Sequence, residues 1–296
     1  MFAHEFIRNA YLAGTFIALA CGTIGWFVVL RGQVFAGDAL SHVAFVGAIA
    51  AAALGLDERL GLFVLTLALA GAMGVLGRRA QADDVVIGTV FAWILGLGVL
   101  LLAVLATSAG GAGGVTSANA LFGSIYSLST SASWLAAVIA ALCTALVLAA
   151  ARPLLLSTLD PELATIRGVP VRLLGIAFLL VLAVVTAEST QAVGALLLLG
   201  LIAAPAGAAA SLTARPYRGL ALSTGFALAA MWAGLALSYE VPSLPPSSAI
   251  IGLAAAGYVT AAAFGRRRQG QRPGQHRGRR RPSRQWLRGE RRQQMS

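Results

Sequence analysis

The chain has 296 residues, of which 58% are hydrophobic and 11% are charged. Soluble globular proteins are about half apolar and about a quarter charged, so this composition excludes an ordinary soluble domain and indicates a polytopic membrane protein. The net charge of +11 comes from the C-terminus, because residues 266–296 hold 12 of the 22 arginines and one acid, whereas residues 1–265 hold ten of each. We predict a transmembrane domain over 1–265 and a disordered Arg-rich tail over 266–296.

Nine apolar stretches are each long enough to cross a bilayer, which takes about 20 residues with a range of about 17 to 25. The first is longer than the apolar core of a signal peptide and lacks a following cleavage pattern, so we expect a retained span. The third and sixth are short, which leaves eight spans as an alternative. We predict an all-α membrane helix bundle with spans over 10–30, 37–56, 60–77, 85–106, 132–151, 171–187, 193–213, 219–238 and 248–265.

The arginines test this count independently, because cytoplasmic loops carry an excess of positive residues. Nine crossings place 20 arginines on one side of the membrane and only Arg8 and Arg59 on the other. We therefore predict an N-terminus outside and a C-terminus in the cytoplasm of a bacterial inner (plasma) membrane. The basic tail is expected to attract anionic lipid, at about 1 kcal/mol for each basic residue near the surface, and this interpretation ranks above nucleic-acid binding.

The second stretch begins with Gly-Asp-Ala-Leu-Ser-His, residues 37–42, and contains an ionisable pair inside an otherwise apolar run. Residues four apart on a helix lie on one face with about 5 to 6 Å between their Cβ atoms, so Asp38 and His42 are expected to be neighbours. Ionisable side chains at membrane depth usually mark an ion or substrate path. The alternative is a hydrogen bond within the helix that only satisfies the two groups.

A cytoplasmic segment between the fifth and sixth stretches predicts a short, well-capped helix. Asp160 suits the N-cap, Pro161 the first helical position and Gly168 the left-handed residue after the helix, while Glu162 complements the positive helix N-terminus. Without further information, an amphipathic helix of this kind is expected to lie on the membrane surface.

Other polar residues give weaker signals. Asp83 and Asp84, beside the fourth stretch, are expected to be a solvated acid pair, with a metal exit site as the alternative. Glu188 is expected to be a solvated loop acid, although it could meet an external binding protein. The two cysteines, Cys21 and Cys143, fall in apolar runs and are predicted to be buried free thiols.

Several of these motifs together resemble the permease subunit of the zinc/manganese/iron class of ATP-binding-cassette importers. The resemblance rests on residues 37–42 followed by Gly47, on Asp-Pro-Glu-x-Ala-x-x-x-Gly-Val-Pro-Val over 160–171, and on Val193-Gly194 leading to Ala-Pro-Ala over 204–206. It covers the chain from the first span to about residue 265. The family usually has Pro-Gly after the histidine, whereas Phe45-Val46-Gly47 keeps only the glycine.

For the metal, the resemblance implies that Asp38 and His42 coordinate a divalent ion as it passes. Imidazole and carboxylate together suit Zn(II), Mn(II) or Fe(II), and no permanently bound cofactor is expected. A structural zinc site normally has four protein ligands, so two suit transient binding, and water, Ser41 or a second copy of the permease could complete the shell. Because only a neutral imidazole binds metal, transport is expected to weaken at low pH.

For energy coupling, the resemblance implies that residues 160–168 form the helix that docks into an ATPase. The chain contains no lysine, so it cannot form a standard P-loop, and we expect a transport subunit whose ATP hydrolysis occurs on a separate cytoplasmic partner. An extracytoplasmic metal-binding protein and a permease homodimer are also expected. The residues implied in ATPase coupling are Asp160, Glu162, Ala164 and Gly168.

Three rival functions remain open from the sequence. A permease for siderophore- or cobalamin-type chelates would not need an intramembrane Asp/His pair for its large cargo. A proton-driven secondary metal transporter would work without an ATPase. An intramembrane hydrolase is the weakest alternative, because the chain has neither a second intramembrane acid for an aspartyl dyad nor a His-Glu-x-x-His pattern.

Overall fold

The structure is a computed structural model that describes residues 5–76, 84–108, 123, 125–241 and 243–270. It is all-helical, as predicted, and no strand occurs in these ranges. A 3-10 turn, Ile125–Ser127, precedes the fifth α-helix. In chain order the α-helices are α1 Glu5–Leu30, α2 Val34–Ala53, α3 Glu58–Leu76, α4 Asp84–Ser108, α5 Thr130–Ala149, α6 Ala151–Leu159, α7 Pro161–Ile166, α8 Val171–Val193, α9 Ala195–Leu212, α10 Pro216–Glu240 and α11 Pro246–Gly270.

Nine of these helices overlap the nine predicted stretches, so the polytopic helix bundle is confirmed. Seven of them, α1, α2, α3, α5, α8, α10 and α11, are long and apolar enough to cross a membrane within the described residues. The other two, α4 and α9, contribute the shorter apolar segments Phe91–Val104 and Leu198–Leu212. The number of crossings and the orientation remain predictions.

The α1 helix lies at the centre of the bundle and contacts α5, α9 and α10. Small residues allow this close packing, as is usual where membrane helices cross. A Cβ atom on Gly25 would collide with the backbone carbonyl of Ile202 in α9. The hydroxyl of Ser223 in α10 donates a 2.7 Å hydrogen bond to the carbonyl of Gly22, which satisfies a polar group in the core.

The α2 helix is surrounded by α3, α4, α8 and α9. It crosses α3 at a pair of glycines, because a Cβ atom on either Gly47 or Gly61 would collide with the carbonyl of the other. The cluster that joins these helices contains Ala44 and Ala48 of α2, Leu62 of α3 and Ala187 of α8. This packing fixes the position of the helix that carries the Asp/His pair.

Polar contacts join chain segments that the nine-span prediction places on the same side of the membrane. On the predicted outer side, the Asn9 amide donates to the Thr130 hydroxyl at 3.0 Å, and that hydroxyl donates to Glu5 at 2.8 Å. On the predicted cytoplasmic side, the Arg172 guanidinium donates to the Val75 carbonyl at 3.4 Å. These contacts support the predicted alternation of the loops.

The C-terminal helix α11 begins two residues before the predicted span of 248–265 and ends five residues after it, at Gly270. The boundary between the transmembrane domain and the tail stays a prediction. Arginine is a good helix former, which allows an apolar span to continue as helix beyond its last apolar turn. The predicted tail from 271 to 296, and Asp83, lie outside the described residues.

Candidate metal site and docking helix

The first turns of α2 bring together the two side chains predicted to bind metal. The Nε2 atom of His42 lies 3.9 Å from Oδ1 of Asp38, and their side chains are 16% and 25% exposed. This distance exceeds a hydrogen bond, so the alternative in which the two groups only satisfy each other does not describe this geometry. Two ligands that are each about 2.1 Å from one ion lie at most about 4.2 Å apart, so the gap admits a shared ion.

Aromatic side chains form one wall of this pair. The His42 ring lies 5.2 Å from the ring of Phe91 in α4, measured between centroids, and Phe91 also contacts Phe35 at 6.1 Å. The neighbouring Ser41 is buried, and its hydroxyl donates a 2.7 Å hydrogen bond to the Asp38 carbonyl. The imidazole therefore lies against an aromatic side chain, while the Ser41 hydroxyl donates its hydrogen within its own helix.

The candidate metal site has few protein ligands beyond Asp38 and His42. Within the described part of the chain, no group of three or more His, Cys, Asp or Glu side chains could hold a metal ion. Both cysteines are buried free thiols, as predicted. The Cys21 sulfur makes a hydrogen-bond contact with the Ser189 hydroxyl at 3.3 Å. The arrangement is an incomplete ligand set, which suits brief occupancy better than permanent binding.

The segment predicted to dock onto an ATPase forms α7 with the predicted caps. Asp160 is the N-cap, and its carboxylate accepts a 2.9 Å hydrogen bond from the Leu163 amide. Gly168 follows the helix at a φ of +76°, a conformation that favours glycine. The Val169 amide donates to the Ala164 carbonyl at 3.0 Å and so closes the C-terminus. Local capping therefore stabilises this six-residue helix.

A groove of about 960 Å³ runs beside α7 and the start of α8. Its lining combines charged residues, Arg31, Glu162 and Arg172, with apolar residues such as Ile166. The Ile166 side chain is 82% exposed, whereas Ala164 is fully buried against the bundle. This end of the molecule therefore presents an exposed apolar side chain beside charged residues.

The prediction that Glu188 is a solvated loop acid is wrong. Helix α8 continues to Val193, so Glu188 lies inside it, with a side chain only 3% exposed. Its carboxylate accepts a 2.6 Å hydrogen bond from the Arg59 guanidinium at the start of α3. The ion pair with Arg59 compensates for this burial. The one available sequence signal was that both residues fall on the predicted outer side of the membrane.

Comparisons with known proteins give a consistent assignment. The model of the family described as the ABC 3 transport family matches residues 3–265. The manganese transport system membrane protein MntC of Halalkalibacterium halodurans is 30% identical over 246 residues, which cover 82% of this chain and 82% of that protein. A "Probable iron transport system membrane protein" of Haemophilus influenzae is 26% identical over 261 residues, covering 88% and 94%.

A solved structure shares the same fold. The structure described as PsaBC from Streptococcus pneumoniae in complex with Fab is similar with a TM-score of 0.77 and 25% sequence identity. The match covers 91% of this chain and 96% of the other chain. The helical arrangement described above is therefore that of a known type of membrane protein along nearly the whole chain.

Proposed function

The chain belongs to the ABC 3 transport family and is a membrane permease of the ATP-binding-cassette metal-importer type; on that premise we propose that it passes a divalent transition metal over Asp38 and His42. The observation that carries this proposal is the 3.9 Å separation of the imidazole nitrogen and the carboxylate oxygen, both partly accessible, in the second of the long helices. The relatives are named for manganese or iron transport, which agrees with this cargo class.

The chemistry of the pair suits transport. An imidazole and a carboxylate bind Mn(II), Fe(II) and Zn(II), and these ions are the proposed cargo. An ion on a conduction path must bind well enough to enter and weakly enough to leave. Two protein ligands meet this requirement, and a second copy of the permease could bring a second Asp/His pair towards the same ion. We propose that the permease works as a homodimer.

We propose that energy enters through α7. Its exposed Glu162 and Ile166 side chains would contact a separate cytoplasmic ATPase, while buried Ala164 anchors the helix to the bundle. The caps at Asp160 and Gly168 would keep the helix formed during the contact. An extracytoplasmic metal-binding protein would deliver the ion at the opposite end of the bundle.

Metal uptake in vesicles by the permease assembled with its ATPase and supplied with the metal-binding protein tests the proposal. We expect Asp38→Ala and His42→Ala each to reduce uptake of radioactive Mn(II), Fe(II) or Zn(II) by about tenfold or more, because each removes one of two ligands. Glu240→Ala is the matched control, since this acid is exposed at the C-terminal end of α10 and lies outside the Asp/His pair. Wild-type uptake rates and metal preference in both ligand variants would refute the site.

The same vesicles separate the proposed importer from its rivals. The comparisons do not favour a chelate permease or a secondary transporter. Uptake of the free ion that stops when ATP is depleted would support the ATP-driven mechanism. Uptake that persists without ATP while a proton gradient is maintained would favour a proton-driven transporter.

A further inference from the structure

Arg31 is a half-buried cation in the turn between α1 and α2. The ion pairs among the described residues do not include it. Its Nε atom donates to the Thr158 hydroxyl at 3.1 Å, and its Nη2 atom donates to the Ser157 hydroxyl at 3.2 Å. The guanidinium carbon lies 5.0 Å from the centre of the Phe178 ring. Burial lowers the pKa of the Arg31 guanidinium, and the two hydrogen bonds and the ring contact offset part of the desolvation cost.

The two hydroxyls are arranged as acceptors for this guanidinium. The Thr158 hydroxyl donates its hydrogen to the Leu154 carbonyl at 2.6 Å, and the Ser157 hydroxyl donates to the same carbonyl at 3.0 Å. A hydroxyl has one hydrogen to donate, so both groups present only lone pairs to Arg31. The contact therefore has a defined geometry, with two hydrogen bonds from one planar cation to the last turn of α6.

This contact lies next to the docking helix. Ser157 and Thr158 precede Asp160, the residue that ends α6 and caps α7, by three and two positions. Arg31 also lines the groove beside α7 together with Glu162. A displacement of α7 therefore reaches the guanidinium through less than one turn of chain.

On its other side, Arg31 is connected closely to α2. The turn is tight, because the Arg31 amide donates to the Phe27 carbonyl and the Gln33 amide donates to the Val28 carbonyl, both at 2.9 Å. Gly32, between them, has a φ of +66°. Helix α2 begins at Val34, so a movement of Arg31 is passed directly to the helix that carries Asp38.

The same turn contains a polar group without a partner. The Gln33 side chain is buried, and neither its amide nitrogen nor its amide oxygen has a hydrogen-bond partner among the described residues. Leaving both atoms unpaired is unfavourable. The turn therefore contains an uncompensated polar group directly beside Arg31 and the start of α2.

We infer that Arg31 is a positioning residue that ties the docking helix α7, through the last turn of α6, to the start of the metal helix α2. The inference rests on the proposed function and adds the route by which ATPase movement reaches Asp38 and His42. The inference assigns Arg31 no direct contact with the metal or the nucleotide. It acts by keeping α6 and α2 mechanically connected.

The test uses the full permease–ATPase complex in vesicles supplied with the metal-binding protein, with Mn(II) uptake and ATP hydrolysis measured on the same sample. We expect Arg31→Gln to retain ATP hydrolysis but to lower the metal transported per ATP by about tenfold, a typical size for coupling between sites. Arg31→Lys keeps the charge but loses one of the two hydrogen bonds. The metal that it transports per ATP should therefore lie between the values for the wild type and Arg31→Gln. Arg152 is an exposed arginine on α6, the helix that carries Ser157 and Thr158, and Arg152→Gln should transport as much metal per ATP as the wild type.

A second variant keeps the inference testable if Arg31→Gln fails to assemble. Ser157→Ala combined with Thr158→Val retains the arginine and removes both acceptors, and it should lower the same ratio. An unchanged ratio, or a parallel loss of uptake and hydrolysis in both variants, would overturn the positioning role. Absence of Mn(II), Fe(II) and Zn(II) uptake in the wild-type complex would instead refute the proposed function.

Discussion

The Arg59–Glu188 ion pair shows how one buried charge depends on its partner. The Glu188 side chain is 3% exposed and the Arg59 side chain 24% exposed, so the carboxylate has lost nearly all contact with solvent. One of its oxygens accepts from Arg59, and the other has no hydrogen-bond partner among the described residues. The carboxylate thus depends on one cation for its stabilisation in the bundle.

We predict that Arg59→Leu destabilises the protein by about 3 kcal/mol, because removing one partner leaves a buried charge uncompensated. Thermal unfolding of the purified permease in detergent measures this change as a lower midpoint. Adding Glu188→Leu should recover much of the loss, since a buried ion pair can be replaced by apolar side chains at little cost. Strictly additive effects of the two substitutions would contradict a direct pairing.

At the scale of the element, α7 depends on its ends. Isolated helices shorter than about 12 to 15 residues are marginally stable, so a six-residue helix requires capping or packing. Asp160 caps one end, and Gly168 allows the chain to leave the other. These signals lie within a few residues of the helix, which explains why the sequence alone predicted it and its bounds closely.

We predict that Asp160→Ala weakens the binding of the ATPase, because losing an N-cap costs about 1 kcal/mol and loosens the helix proposed to dock onto it. Asp160→Asn is the matched control, since asparagine caps about as well without the negative charge. Co-purification of the ATPase with each permease variant measures the effect. Equal losses in the two variants would show that the charge, and not the cap, governs binding.

At the scale of the whole molecule, apolar length predicted where the helices lie but not which helices touch. Each predicted stretch required only about 20 neighbouring residues, and all nine correspond to helices. The Arg59–Glu188 contact joins residues 129 positions apart, and the Arg31–Thr158 contact joins residues 127 apart. No local pattern specifies such pairs. Asp38 and His42 were predictable as neighbours because one turn of helix connects them.

The alternation of loops across the membrane gives the last prediction. Nine crossings place residues 57–59 outside and residues 214–218 in the cytoplasm. Single cysteines at Leu56 and Ala214 test this, because both positions are exposed beside helix ends.

The starting variant carries Cys21→Ser and Cys143→Ser, which removes both native thiols. A membrane-impermeant maleimide should label Leu56→Cys in intact cells and Ala214→Cys only after permeabilisation. Reversed labelling would invert the orientation, and labelling of both sites in intact cells would contradict the odd number of crossings between them.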